Sequence, residues 1–274
     1  MFGGGKKIAT LDNEVLELLS RSLHRLGQAR EEMTLNCEDE QQLADMNKMT
    51  VLLALRCLLE VGCDTQANES LNNNGLYNAL QKIHLNSPNQ DDDEFVILRN
   101  VKLMADLAEE RNMKQTSRTL QRLCAESLSQ TGRFVLDIDG YEMSLGEIQQ
   151  KIIMSASSAK EVIDVYQSID ALVEKKHRNS SKKGGVDDDE TFYSVADLTW
   201  FAKDANNRAV QHDLLGDYDT AAKLFATALN LLPYASKELQ THSKAINAAY
   251  QDALNRTSNR DTLSEIWNLV AESH

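Results

Sequence analysis

The chain has 274 residues, with 29 Lys and Arg against 42 Asp and Glu, and so a formal net charge of −13 at pH 7. Nucleic-acid binding rests on clustered cations that displace counterions from phosphates, so this acidic balance argues against direct binding of DNA or RNA. Only two prolines, Pro88 and Pro233, interrupt it; aromatic residues are 5% of the total, and Leu, Ala, Glu, Gln and Lys recur throughout. That composition points to helix and away from a strand-rich fold.

Taken in chain order, the first expected helix runs from about Leu11 to Met33, with Leu11, Val15, Leu18, Leu19, Leu23 and Leu26 at helical spacing. A second, from Glu40 to Val61, carries a broader apolar band, and a shorter one follows over Leu71 to Ile83. Asn86 to Asp93 contains Pro88 among polar and acidic residues and reads as a solvated loop. Helices over Phe95 to Arg111 and Gln115 to Ser129, joined shortly around Asn112, should pack antiparallel. Phe134 to Gly146 reads as an extended turn, with a strand and turn as the other reading. Aligning Gly140 with the glycine of a calcium loop puts Val135 in the first ligand position and Gly146 where the terminal Glu belongs, which excludes that site. Ser144 to Ser157 and Ala159 to Lys175 then read as a helical pair, with Leu145, Ile148, Ile152 and Ile153 facing Val162, Val165, Tyr166, Ile169 and Leu172.

Between Lys175 and Glu190 lie a basic cluster, serines, Gly184-Gly185 and the acidic run Asp187 to Glu190, none of which can bury an apolar face. The same Asp-Asp-Asp-Glu tetrad stands at 91–94. Each precedes an apolar stretch, where carboxylates favour the positive end of a helix dipole. The organisation expected is therefore an N-terminal helical repeat region over 1–175, a flexible charged linker over 176–190, and a C-terminal helical region over 191–274.

No cofactor and no metal is expected. The cysteines Cys37, Cys57, Cys63 and Cys124 lack CxxC spacing, and the six histidines sit at no metal-ligand spacing from one another. No phosphate loop, nucleophile elbow, GxGxxG or HExxH assigns a catalytic role to any residue, so an enzyme is not expected. No run approaches the roughly 18 apolar residues of a membrane span, and MFGGGKK leads into an acidic amphipathic stretch and not a signal core. The expectation is a soluble intracellular protein without membrane partners.

Between residues 202 and 233 the chain matches the second half of a tetratricopeptide repeat: Gly216-Asp217-Tyr218, then Ala221, Phe225, Ala228, Leu229 and Pro233. A glycine closes the first helix in a left-handed conformation, small alanines let two helices approach, Phe225 and Leu229 fill the groove, and Pro233 stops the second helix. The fold expected is all-α, a tetratricopeptide-like solenoid of stacked antiparallel hairpins. Its first helix departs from the repeat, with Ala205, Arg208, Ala209 and His212 where Trp, Leu, Gly and Tyr are usual, and only Ala209 keeps the small-residue logic.

Trp200, Asn207, Ala209, Gly216, Tyr218 and the helix end Leu229-Asn230-Leu231-Leu232 are more particular than a generic repeat. Over Asp197 to Leu254 the segment resembles the tetratricopeptide scaffold family that promotes meiotic crossovers and chromosome synapsis. Members of that family carry a Trp, then Ala-Trp-Asn-x-Gly, a Gly-x-Tyr turn and an Ala-Leu-Leu helix end; here Asn206 replaces the second Trp. The resemblance implies a nuclear, chromosome-associated adaptor without catalytic activity, in a short or partial version, with meiotic chromosome or recombination proteins as partners. A general peptide-binding adaptor of the cochaperone or transport type, in the cytoplasm, is the alternative. Lys203, Asn206, Val210 and Asp213 recur at intervals that place them on one helix stripe. In proteins similar to this repeat the equivalent stripe lines the concave groove, which makes these four the expected partner-binding residues.

Overall fold

The structure, a computed structural model, describes residues 64–73, 92–132, 134–138, 141–182 and 193–272, together with Arg21 and Leu53. The helices expected over Leu11 to Met33 and Glu40 to Val61 lie outside this set apart from those two residues. Helix makes up 84% of the described residues, so the class is mainly helical, with one β-hairpin as the exception. None of these helices is long and apolar enough to cross a membrane. The chain divides into two compact units, Met1–Ser155 and Ala156–His274.

In the first unit, α1 spans Asp64–Asn73, α2 Asp92–Glu110 and α3 Lys114–Thr131. The α1 helix starts seven residues before the expected Leu71; residues 74–83 of that expectation lie outside the described set. The α2 helix opens on Asp92-Asp93-Glu94, where carboxylates complement the dipole, so the loop expected to reach Asp93 is shorter than its polarity implied. The turn between α2 and α3 places Asn112 at φ 61, a left-handed angle that Asn tolerates better than most residues. Helix α3 is the centre of the unit: Leu120, Leu123, Cys124 and Leu128 are buried beside the small polar residues Thr116, Ser117 and Ser127. Gly132 at φ 70 ends it and donates its N–H to the carbonyl of Leu128.

The N-terminus of α3 is completed from elsewhere in the chain. Its N-cap, Met113, offers no side-chain acceptor. Instead the Asp64 carboxylate accepts the N–H groups of Gln115 and Thr116 at 2.8 Å each, and the Thr116 hydroxyl donates to it at 2.9 Å. Replacing Asp64 with Ala orphans two donors of the first turn and should cost about 1 kcal/mol, the usual worth of a cap. Urea denaturation monitored by far-UV circular dichroism would register that loss, and an unchanged midpoint would rule the cap out as a stabilising contact.

In place of the extended turn expected over Phe134 to Gly146, two strands pair as a β-hairpin and a helix begins at Leu145. Strand β1 (Val135–Ile138) pairs antiparallel with β2 (Tyr141–Ser144), in the register Leu136↔Met143 and Ile138↔Tyr141. Asp139-Gly140, the pair between them, is a strong signal for a two-residue hairpin loop. Leu136 and Met143 share the buried face, while the cross-strand pair Asp137 and Glu142 is exposed. Helix α4 (Leu145–Ser155) follows directly and buries Leu145, Ile148, Ile152 and Ile153, packing on α3. The Arg118 guanidinium of α3 ties down the far end of α4 by donating to the carbonyl of Ser155.

A half-buried carboxylate of this unit collects three donors. Lys102 of α2 donates to both Asp106 oxygens, at 2.7 and 2.6 Å; Lys151 of α4 reaches it at 2.9 Å and the Tyr141 hydroxyl at 3.1 Å. Burial disfavours the charge, but the two ammonium groups outweigh it and hold the Asp106 carboxyl below its ordinary range. Burial, with Asp106 adding to it, pushes the Tyr141 phenol up to about 12, so the ring stays a hydrogen-bond donor at neutral pH. The fully buried Cys124 thiol is pushed up to about 12 by desolvation, which makes it an inert packing residue.

In the second unit, α5 spans Ala159–Lys182, α6 Val195–Leu214 and α7 Tyr218–Leu231; a 3-10 turn (Leu232–Tyr234), the short α8 (Lys237–Gln240) and the long α9 (Ser243–Glu272) follow. Helix α5 departs from expectation in its length. It continues through Lys182, seven residues into the stretch 176–190 expected to be a flexible linker. Lys, Arg and Ser without Gly or Pro do not stop a helix, and the first glycine comes only at Gly184. Residues 183–190 lie outside the described set. Within the first unit α4 rests on α3, and within the second α5 rests on α7. Val162, Tyr166, Ile169 and Val173 form its buried stripe, which assigns α5 to the C-terminal unit and puts the division at Ser155 and Ala156.

Candidate partner-binding site

Helix α6 begins with a capping box. The Ser194 hydroxyl oxygen accepts the N–H of Asp197 at 3.0 Å, and the Asp197 carboxylate accepts the N–H of Ser194 at 3.2 Å, so two orphan donors are met reciprocally. Its buried face is Leu198, Phe201, Ala202, Ala205 and Ala209. Phe201 is the hub of an aromatic cluster in edge-to-face geometry, with centroids 6.4 Å from Tyr166, 5.7 Å from Tyr193 and 5.6 Å from Trp200. Trp200 thus has a packing role beside Phe201 and is half-buried.

The turn is built as the glycine motif requires. Gly216 has φ 78, and a Cβ there would meet nothing within 4 Å, so the backbone angle and not crowding selects glycine. Its N–H donates to the carbonyl of Asp213, and that of Asp217 to the carbonyl of His212, which closes the end of α6. Asp217 then caps α7: its carboxylate accepts from the N–H of Thr220 and faces the Nδ1 of His212 at 3.0 Å. His212 is therefore a polar clasp across the turn. Ala221, Phe225 and Ala228 are buried on α7, Leu229 is half-buried, and Pro233 stands in the 3-10 turn that ends the helix.

The four stripe residues follow directly after buried positions or neighbour them: Lys203 comes after Ala202, Asn206 after Ala205 and Val210 after Ala209. One residue is about 100° of helix rotation, so the stripe borders the packed face. Lys203 and Val210 are exposed, and Asn206 is half-buried. Asp213 is already engaged within the fold: Arg256 of α9 reaches its carboxylate at 3.5 Å, pairs with Asp252 at 2.5 Å and lies over the Tyr218 ring at 5.4 Å. Asn207 is exposed on the same side. Leu214, four residues beyond Val210, is 80% exposed and extends the stripe with an apolar end that periodicity alone did not single out.

On the other flank of α6, Asp204 accepts from the Tyr166 hydroxyl at 2.8 Å and from Arg208 at 2.6 Å. Burial, reinforced by Asp204, pushes the Tyr166 phenol far above its ordinary range, so it acts as a fixed donor joining α5 to α6. The geometry leaves one side of α6 accessible, with a cation, an amide and aliphatic groups in sequence along it. Such a surface can hold a peptide by charge-assisted hydrogen bonds and apolar contact. No protein-family model and no curated protein matches this chain.

Proposed function

We propose that this chain is a non-enzymatic tetratricopeptide-like scaffold that holds other proteins along α6, and that its partners act in meiotic crossover formation and chromosome synapsis in the nucleus. The observation that carries the scaffold reading is the α6–α7 hairpin. Gly216 turns it with a left-handed backbone, alanines line both buried faces, and Lys203, Asn206 and Val210 remain beside the crossing. The meiotic part rests on the pattern of Trp200, Asn207, Ala209, Gly216 and Tyr218. The Asp213 carboxylate faces Arg256 of α9 at the end of this surface.

Changing Lys203 and Asn206 together to Ala should weaken capture of partners from meiotic extract several-fold. The melting curve should stay within about 0.5 kcal/mol of wild type, as is usual for solvent-facing substitutions. Unaltered capture by the folded double variant would remove this surface from consideration. Equal capture from meiotic and vegetative extracts, lost in both on mutation, would favour a general adaptor over a meiotic one.

A further inference from the structure

Several carboxylates described above are matched by a cation or by a helix N-terminus: Asp106 by Lys102 and Lys151, Asp204 by Arg208, Asp213 by Arg256, Asp217 by the first turn of α7 and Asp64 by the first turn of α3. Asp170 differs. It sits on α5 where that helix crosses α7; its Oδ2 accepts from the Thr227 hydroxyl at 3.3 Å, and its enclosed Oδ1 receives no hydrogen bond from any described residue. The Asn230 amide also favours the charged form, whereas Glu174, one turn along α5, adds a like charge.

Among the described residues, the helices packed on α5 offer no compensating cation. On α7 the charged residues Asp219 and Lys223 pair with each other at 2.6 Å, toward the N-terminus from Thr227. On α6 Asp204 and Arg208 are joined to each other and to Tyr166, while Lys203 is exposed on the opposite flank. We infer that the α5–α7 crossing is a proton-operated contact, tightened when Asp170 takes up a proton and loosened when it gives that proton up.

Burial, opposed by Asn230 and Thr227 and reinforced by Glu174, raises the Asp170 carboxyl from 3.8 to about 6. The folded state therefore holds this proton more firmly than the unfolded chain. The resulting stabilisation is complete below the unfolded value and is lost as pH rises through about 6. A shift of this size corresponds to roughly a hundredfold in the folding equilibrium over the whole titration, of which about fourfold is lost above about pH 5.5.

The test compares urea unfolding of the full chain and its Asp170→Asn variant between about pH 5.5 and about pH 8, following the second unit by tryptophan fluorescence, since Trp200 and Trp267 both belong to it. The wild-type folding equilibrium should weaken about fourfold more than the variant's across that range, and the variant should be the more stable at the upper end. Parallel behaviour of the two, or a less stable variant at about pH 8, would overturn the inference. Carboxyl carbon NMR on the wild-type protein decides the matter independently, even if the variant folds poorly. A midpoint for Asp170 near 6, moving down in Glu174→Gln, supports the contact; a midpoint near the ordinary 3.8 refutes it.

Discussion

Phe225→Ala should destabilise the second unit by about 4 kcal/mol, near the upper end for removal of a buried aromatic ring. Phe225 is 2% exposed on the face that α7 presents to the core. The cost of such a cavity depends on how far neighbours collapse into it, and here they have little means to do so. The buried face of α6 is rich in Ala202, Ala205 and Ala209, and α7 itself contributes Ala221, Ala222 and Ala228. Alanine has no rotamer to swing inward, so the void persists. The companion change Ala221→Glu, at a position with 0% exposure, should cost about 3 kcal/mol by placing volume and charge in the crossing. Urea denaturation should show lower midpoints at an unchanged slope. Midpoints close to wild type for both would mean that the α6–α7 crossing does not stabilise the unit.

Asp106→Ala is the second large effect, with an expected loss of about 3 kcal/mol in the first unit. The Lys102 side chain is 10% exposed and spends its charge on this carboxylate, so truncation leaves an enclosed ammonium without its counter-ion. Breaking one partner of a buried pair is costly, whereas removing both charges is often close to neutral. The double variant Asp106→Ala with Lys102→Met should therefore regain much of what the single change loses. Thermal unfolding of the four members of the cycle measures that coupling. Additive losses would show that Lys102 finds a substitute partner, and that the cluster around Asp106 is not a unit.

The helices were legible in the sequence to the extent that their signals were local. Apolar spacing placed α2, α3 and α4 within a few residues of their ends, and Gly216-Asp217-Tyr218 placed the α6–α7 turn. Misreadings arose where a stretch had two local solutions. The residues after Lys175 look like a linker because they bury nothing, yet they also lack a breaker before Gly184, and the helix continues to Lys182. Phe134 to Gly146 alternates weakly, and the hairpin is decided by burial of Leu136 and Met143, together with the Asp139-Gly140 pair. At the candidate site, periodicity put Lys203, Asn206, Val210 and Asp213 on one stripe. It could not foresee that Arg256, 43 residues on, would claim Asp213. The Asp106 cluster was invisible for the same reason, since Tyr141 and Lys151 come to it from 35 and 45 residues away.

Asp64 reaches the first turn of α3 across 51 and 52 residues, and that separation has a direction in time. During synthesis α1 leaves the ribosome well before α3, so the acceptor for the first amides of α3 is made before the donors exist. Helix α3 then grows away from a cap already waiting at its first turn, and its register is set at its start instead of being chosen among competing frayed ends. A circular permutant that moved the α1 segment behind the end of the chain would reverse this order. It would preserve the contact in the final fold while leaving α3 to begin without it.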